Sequence, residues 1–197
     1  MYIRGAQNER AAALLRQVLD DVRQGWKPPD SITPAEILFA MRDAGALDVA
    51  ADTARLLSPA HLPAVSRAYA RAGDVARAKA LIAERLAQFE AAPPDEHTAQ
   101  HAVALATAAG AIGDQALFDR LIVQGNEAAL KSRVQLWGGE TGTWLPLCRA
   151  YHVAGRMRDL SRVVDRVELR PARLIVNLVA AQELSGIKVF DWRAPDL

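Results

Sequence analysis

The chain of 197 residues is predicted to be all-α, and three observations favour this class. Apolar residues recur at spacings of three and four, as they do on one face of a helix. Glycine and proline stand between these periodic segments, at positions that suit helix ends. No run of alternating apolar and polar residues exceeds a few residues, so no strand is predicted.

An amphipathic helix opens the predicted fold. Leu15, Val18, Leu19 and Val22 follow helical spacing, and charged residues stand between them. Glycine and then two successive prolines, at positions 25, 28 and 29, should end this helix. We therefore assign residues 1–30 to an N-terminal helix and a linker.

Residues 31–168 are predicted to form about four helical hairpins. Thr33 to Glu36 forms a capping box with proline in the first helical position, where its missing N–H costs nothing. Ser58-Pro59 repeats this kind of start. The predicted helix pairs are 34–44 with 47–57, 59–72 with 74–90, 96–112 with 114–134, and 144–154 with 157–168. A last helix and a tail, residues 169–197, should cap the array.

A short unit recurs where each hairpin should turn. A methionine, alanine or tyrosine is followed four residues later by glycine, and five residues after that by an apolar residue. The four copies are Tyr69, Gly73 and Ala78; Tyr151, Gly155 and Leu160; Met41, Gly45 and Ala50; and Ala109, Gly113 and Phe118. Such recurrence indicates stacked hairpins, because each hairpin can bury its apolar face only against its neighbours.

The Tyr69 and Tyr151 units resemble the tetratricopeptide repeat. That family places an aromatic residue on the first helix of each hairpin, glycine and an acid at the turn, and alanine where the two helices touch. The large ring then fills the gap beside the small residue. The resemblance covers about residues 32–168 and implies a right-handed α-α solenoid. The length of the chain favours a single domain, residues 1–197.

The spacing of the units makes the array irregular. The four glycines lie 28, 40 and 42 residues apart, whereas the family's unit has about 34 residues. An unrelated helical bundle is therefore the alternative fold.

Composition limits the classes of partner. The formal net charge is +1, with acidic and basic residues interspersed, so no global field attracts nucleic acid or an anionic membrane. No apolar stretch is long enough to span a bilayer, and the start of the chain does not resemble a secretory signal. A single cysteine, Cys148, suits a reducing compartment. We expect a cytoplasmic protein without a membrane partner, and the abundance of alanine and arginine suggests a bacterial source.

The chemistry-bearing residues favour no catalytic site. His97 and His101 stand four apart on one helical face, as a metal pair would, but a third ligand is not evident. The loop from Trp137 to Trp144 is rich in glycine, but no Gly-Lys-Ser/Thr sequence follows it. Cys148 has no evident base nearby. We predict no cofactor, no metal and no enzymatic activity.

The predicted partner-binding residues lie on the first helices. In a solenoid, the exposed face of each first helix lines the concave side, where the residues would be Arg42, Arg67, Arg71, Arg149 and His152, with Gln100 and Thr107. This face is basic, which predicts an acidic partner segment or a C-terminal carboxylate. The loop residues Trp137 and Glu140 are a second candidate surface. The family's carboxylate-clamp pattern of lysine and asparagine is not matched.

Four functions stay open at this point. The favoured one is a non-enzymatic adaptor that binds a peptide or an acidic protein segment in the concave groove. RNA binding in the manner of pentatricopeptide repeats, which share the two-helix unit, is disfavoured by the few, uneven units and the near-neutral charge. The third is an enzyme or a helical domain accessory to one, and the fourth is a structural homo-oligomer. The sequence does not decide the oligomeric state.

Overall fold

The computed structural model describes residues 2–27, 32–95, 97–131, 141–156, 158–159 and 162. Within these ranges the chain forms α-helices joined by short turns and contains no strand, so the all-α prediction is confirmed. The helices are α1 (Tyr2–Arg23), α2 (Pro34–Asp43), α3 (Leu47–Leu57), α4 (Leu62–Arg71), α5 (Val75–Ala91), α6 (Thr98–Ala111), α7 (Gln115–Lys131) and α8 (Thr141–Val153). The predicted helix 157–168 and the predicted cap 169–197 lie outside the described residues, apart from positions 158, 159 and 162.

The helix starts follow local hydrogen bonding. Thr33 forms the predicted capping box: its Oγ1 accepts from the Glu36 N–H at 3.3 Å, and Glu36 Oε2 accepts from the Thr33 N–H at 2.7 Å. The start predicted at Pro59 differs, because residues 59–61 form a 3₁₀ turn and α4 begins only at Leu62. Pro63 has no N–H to donate to the Pro59 carbonyl, which instead accepts from the Leu62 N–H.

One turn geometry ends the first helix of every described hairpin. At the end of α4, the Asp74 N–H donates to the Tyr69 carbonyl at 2.9 Å, and the Gly73 N–H donates to the Ala70 carbonyl at 3.1 Å. Gly73 has a φ of 85°, a left-handed conformation that glycine adopts at little cost. The same pair of bonds and a positive φ occur at Gly45, Gly113 and Gly155. The recurring unit thus marks this turn. The carbonyl of its first residue accepts the hydrogen bond from the residue after the glycine.

An aspartate after the glycine starts the next helix. Asp74 Oδ1 accepts from the Arg77 N–H at 3.1 Å, and Asp114 Oδ1 accepts from the Leu117 N–H at 3.0 Å. Each bond satisfies an N–H of the first helical turn that has no partner within the helix. The Gly-Asp pair therefore ends one helix and begins the next.

The described residues divide into two compact units at Arg85 and Leu86, within α5. In the first unit, α3 packs against α1, α2 and α4, and α2 also contacts α4. In the second unit, α6 contacts α7 and α8, and α7 contacts α8. A Cβ placed on Gly110 would lie 2.9 Å from the Ala154 Cβ, so glycine permits close approach there. The assignment of residues 1–197 to a single domain stays a prediction.

The two repeat tyrosines occupy equivalent places, one in each unit. Tyr69 on α4 and Tyr151 on α8 are each 4% exposed. The Tyr69 hydroxyl donates to Asp48 on α3, the second helix of the preceding hairpin. The Tyr151 ring meets the Phe118 ring of α7 edge-on, with centroids 5.6 Å apart, and its hydroxyl accepts from Asn126 at 3.3 Å. Both rings are therefore buried where one hairpin meets the preceding one.

Removing the Tyr69 ring should strongly destabilise the first unit. We expect Tyr69→Ala to lower the free energy of unfolding by about 3–5 kcal/mol, because truncating a buried aromatic side chain leaves a cavity. Tyr69→Phe is the control, since it keeps the ring and loses only the hydroxyl bond, at about 1 kcal/mol. Urea denaturation followed by circular dichroism measures both, and equal losses in the two variants would contradict this packing role.

The turn at Gly73 offers a test of backbone strain without a packing change. A Cβ at Gly73 would meet no atom within 4 Å, so Gly73→Ala adds no clash. We expect it to cost about 1–2 kcal/mol, the penalty of a left-handed conformation for an L-residue. Gly73→Asn should cost less, because asparagine tolerates this conformation better. A Gly73→Ala protein with the wild-type urea midpoint would show that the turn relaxes.

Candidate functional site

The three arginines predicted on the first helices of the first unit differ in exposure. Arg67 is only 7% exposed, so its placement on an exposed face is wrong. The cause is the central position of α4, which contacts α2 and α3. It also contacts α5, because Ser66 Oγ on α4 donates to the Ala78 carbonyl on α5 at 2.9 Å. From Leu62 to Tyr69 only Ala64 escapes burial. Arg71, at the end of α4, is exposed as predicted.

Arg42 is held in place at the end of α2. Its Nη2 lies 2.8 Å from Asp43 Oδ1, and its guanidinium carbon lies 4.9 Å from the centroid of the Phe39 ring. The Arg42 side chain is 25% exposed, whereas that of Asp43 is 68% exposed. Arg42 and Arg71 are therefore the predicted residues that reach the surface of the first unit.

The first helices of the second unit are also more buried than predicted. Thr107 is 4% exposed and donates to the Val103 carbonyl at 2.7 Å, so its predicted exposure is wrong. It lies in α6, which is buried without a break from Leu105 to Gly110. Gln100, Arg149 and His152 are half-buried. Their role in partner binding stays a prediction, and Trp137 and Glu140 lie outside the described residues.

The structure adds a feature that the sequence pattern did not predict, on α1 and on the second helices of the first unit. Three ion pairs join residues 29 positions apart. Arg23 Nη2 lies 3.2 Å from Asp52, Arg55 Nη2 lies 2.8 Å from Glu84, and Arg77 Nη1 lies 2.7 Å from Asp48. These pairs connect α1 with α3 and α3 with α5. We call them the 29-residue ion pairs.

A signal for these pairs exists in the sequence. Gly45 and Gly73 are 28 residues apart, so residues separated by nearly that interval occupy equivalent places on successive hairpins. Opposite charges at such an interval, as in Asp48 and Arg77, indicate contact between neighbouring second helices. Charges compared at one residue more than the interval between Gly45 and Gly73 would have identified the pairs of Asp48 with Arg77 and of Arg55 with Glu84.

Burial and the ion-pair contacts shift the pKa values of several groups here, Tyr69 and Arg55 among them. Burial, followed by the hydrogen bond to Asp48, raises the pKa of Tyr69 from 10.0 to about 12. The hydrogen bond to Glu84 raises the pKa of Arg55 above its ordinary value, so its guanidinium stays charged. At neutral pH the tyrosine is therefore a neutral donor and the arginine a permanent cation.

In the described ranges, no further metal-ligating side chain joins the pair of His97 and His101. The His97 and His101 rings lie with centroids 6.2 Å apart. Within the part of the chain that the structure describes, no group of three or more histidine, cysteine, aspartate or glutamate side chains could hold a metal ion. Likewise, none of the helices in these ranges combines the length and apolarity needed to cross a bilayer.

Comparisons of this chain with protein-family models, with curated proteins and with solved structures gave no match. Its function is therefore inferred from its own residues and contacts.

The raised pKa of Tyr69 predicts a specific loss of stability in alkali. The protonated tyrosine is favoured by the folded state, so its contribution is fully present below pH 10 and is lost as the pH rises through about 12. We expect the free energy of unfolding to fall more between about pH 8 and about pH 11 in the wild type than in Tyr69→Phe, which has no phenol to ionise. Urea denaturation at the two pH values measures this difference. Equal falls in the two proteins would contradict it.

Proposed function

We propose that this chain is a right-handed α-α solenoid of tetratricopeptide-like hairpins and acts as a non-enzymatic adaptor for a protein or peptide partner. The observation that carries the proposal is the repeated contact between hairpins. In each unit, a tyrosine four residues before the turn glycine packs on the second helix of the preceding hairpin. Use of the same turn in both units, with a tyrosine at the same place against the preceding hairpin, is typical of stacked repeats, which present extended surfaces for binding.

Contacts between first helices support the same architecture. The helices α2 and α4 touch in the first unit, and α6 and α8 touch in the second. In a stack of hairpins, successive first helices lie side by side, which is how they form a shared surface. The right-handed sense is the one that the family resemblance implies.

The surface of α2 and α4 favours an acidic partner segment. Arg42 and Arg71 are the basic residues of this surface, and guanidinium groups pair with carboxylates through two parallel hydrogen bonds. The Phe39 ring already restrains Arg42, which lowers the entropy lost when a partner carboxylate binds. A partner carboxylate would exchange with the exposed Asp43. We place this adaptor in the cytoplasm, which suits its single cysteine.

Charge reversal on this surface tests the proposal. Arg42→Glu with Arg71→Glu should reduce partner binding about tenfold or more, because two attractive contacts become repulsive. Arg67 is left unchanged, since reversing a buried arginine would disturb folding. The measurement is quantitative mass spectrometry of proteins that co-purify with the full chain from its source organism, followed by affinity measurement with the main partner.

The matched control is Arg16→Glu with Lys79→Glu. Both residues are exposed, lie on α1 and α5, and give the same change in net charge. Thermal melts should show all proteins folded, because Arg71 and both control residues are exposed and the pair of Arg42 with Asp43 lies at the surface, where ion pairs contribute little to stability. Equal loss of partner in the control and the test variant would indicate a general charge effect. Unchanged binding in the test variant would move the interface away from α2 and α4.

A further inference from the structure

A cleft of about 260 Å³ lies between the second helices of the first unit. Ala51 on α3, with Ala80 and Leu81 on α5, contributes its apolar lining, together with Tyr69 on α4. Ala51 and Ala80 are separated by the same interval as the 29-residue ion pairs. The two helices thus carry a small side chain at the same level, and the missing side-chain volume leaves space between them.

Ion pairs hold the helices on both sides of this space. Asp48 and Arg77 pair before the two alanines in sequence, and Arg55 and Glu84 pair after them. Arg55 also binds Asp52 at 2.7 Å, so its guanidinium contacts two carboxylates. These contacts keep α3 and α5 at a set distance while the alanines leave the gap unfilled.

The ion pairs around the cleft contain more carboxylates than guanidinium groups, and one carboxylate oxygen is available. The lining itself carries two aspartates and two arginines, Asp48, Asp52, Arg55 and Arg77. Counted with their ion-pair partners among the described residues, these groups amount to three arginines, Arg23, Arg55 and Arg77, and five carboxylates, Asp20, Asp48, Asp52, Asp74 and Glu84. The Asp48 side chain is 74% exposed. Its Oδ1 receives the bonds from both Tyr69 and Arg77, and within the described ranges no bond to its Oδ2 is found. A carboxylate has room for about four hydrogen bonds.

We propose that this cleft binds a guanidinium or ammonium group on an aliphatic stem, as in an arginine or lysine side chain of a partner segment. The cation binds Asp48 Oδ2, and the methylene groups lie against the alanines, Leu81 and the Tyr69 ring. Long basic side chains bury their stems on apolar surface in this way while the charged head stays solvated. The volume is below the range of about 300–1,000 Å³ usual for small-molecule sites and suits a single side chain.

This site goes beyond the proposed adaptor surface. It lies on α3 and α5, whereas the proposed acidic partner segment binds α2 and α4. It also recognises the opposite charge. A basic side chain could therefore bind whether or not Arg42 and Arg71 contact a partner, and each proposal can fail without the other.

The test uses the full chain and a small probe. N-acetyl-argininamide should bind saturably with a dissociation constant near ~1 mM, and amide resonances of residues 48–55 and 77–81 should shift in nuclear magnetic resonance spectra. N-acetyl-citrullinamide has nearly the same shape without the charge and should produce no saturable shift. Equal binding of both probes would overturn the proposal, and so would the absence of saturation by the arginine probe up to about 10 mM.

Two variants locate the probe, each with a matched control. Asp48→Asn should weaken binding about tenfold, because a charge-assisted hydrogen bond is lost, whereas Asp43→Asn on α2 should leave binding unchanged. Ala80→Leu should abolish binding by filling the cleft, whereas Ala83→Leu, also exposed on α5 but outside the cleft, should not.

Asp48→Asn also changes the acceptor of the Tyr69 hydroxyl, so a loss of binding in that variant could follow from altered packing. Ala80→Leu leaves this hydrogen bond intact and therefore tests the cleft separately. Ala80 is exposed, so the larger side chain does not enter the core. Wild-type affinity in a folded Ala80→Leu protein would overturn the proposal. Tighter binding of N-acetyl-glutamate than of the arginine probe would overturn its sign, since the arginines would then be the recognition groups.

Discussion

A left-handed glycine at the end of each first helix controls the geometry of the described hairpins. At Gly73, two backbone hydrogen bonds close the turn, and the following aspartate caps the next helix. This geometry determines where the second helix begins, and therefore which residues face the first. Tyr69 and Ala78 fall on the buried side because they stand four residues before and five after the glycine.

Repetition of this turn explains why contacts recur at a regular sequence interval. When two successive hairpins have the same turn and similar length, equivalent residues on their second helices meet. The pairs of Asp48 with Arg77 and of Arg55 with Glu84 are such contacts, both 29 residues apart. Exposed ion pairs of this kind contribute little stability. Their consequence is geometric, because they join α3 and α5 on both sides of the alanines that leave the cleft open.

Burial of the first helices changes which residues can recognise a partner. The expectation that α4 and α6 each present an open face fails at Arg67 and at Thr107. A helix with neighbours on several sides has little free surface, and a polar residue on it serves packing as well as solvation. In the two proposals made above, recognition therefore depends on a residue at a helix end, Arg71, and on a gap between second helices, the one beside Asp48.

The helical class, most helix bounds in the described ranges and the turns between them follow from the amino-acid sequence, because they depend on local hydrogen bonds. The capping box of Thr33, the turn at Gly73 and the Asp74 cap each involve residues within five positions of one another. The exposure of Arg67 and Thr107 and the existence of the cleft depend instead on packing between distant elements. Helical spacing shows which residues share a face of a helix. How many other helices pack against that face depends on segments that are distant in the sequence. Only the folded chain brings Asp48 beside Tyr69 and Arg77, because each lies on a different helix.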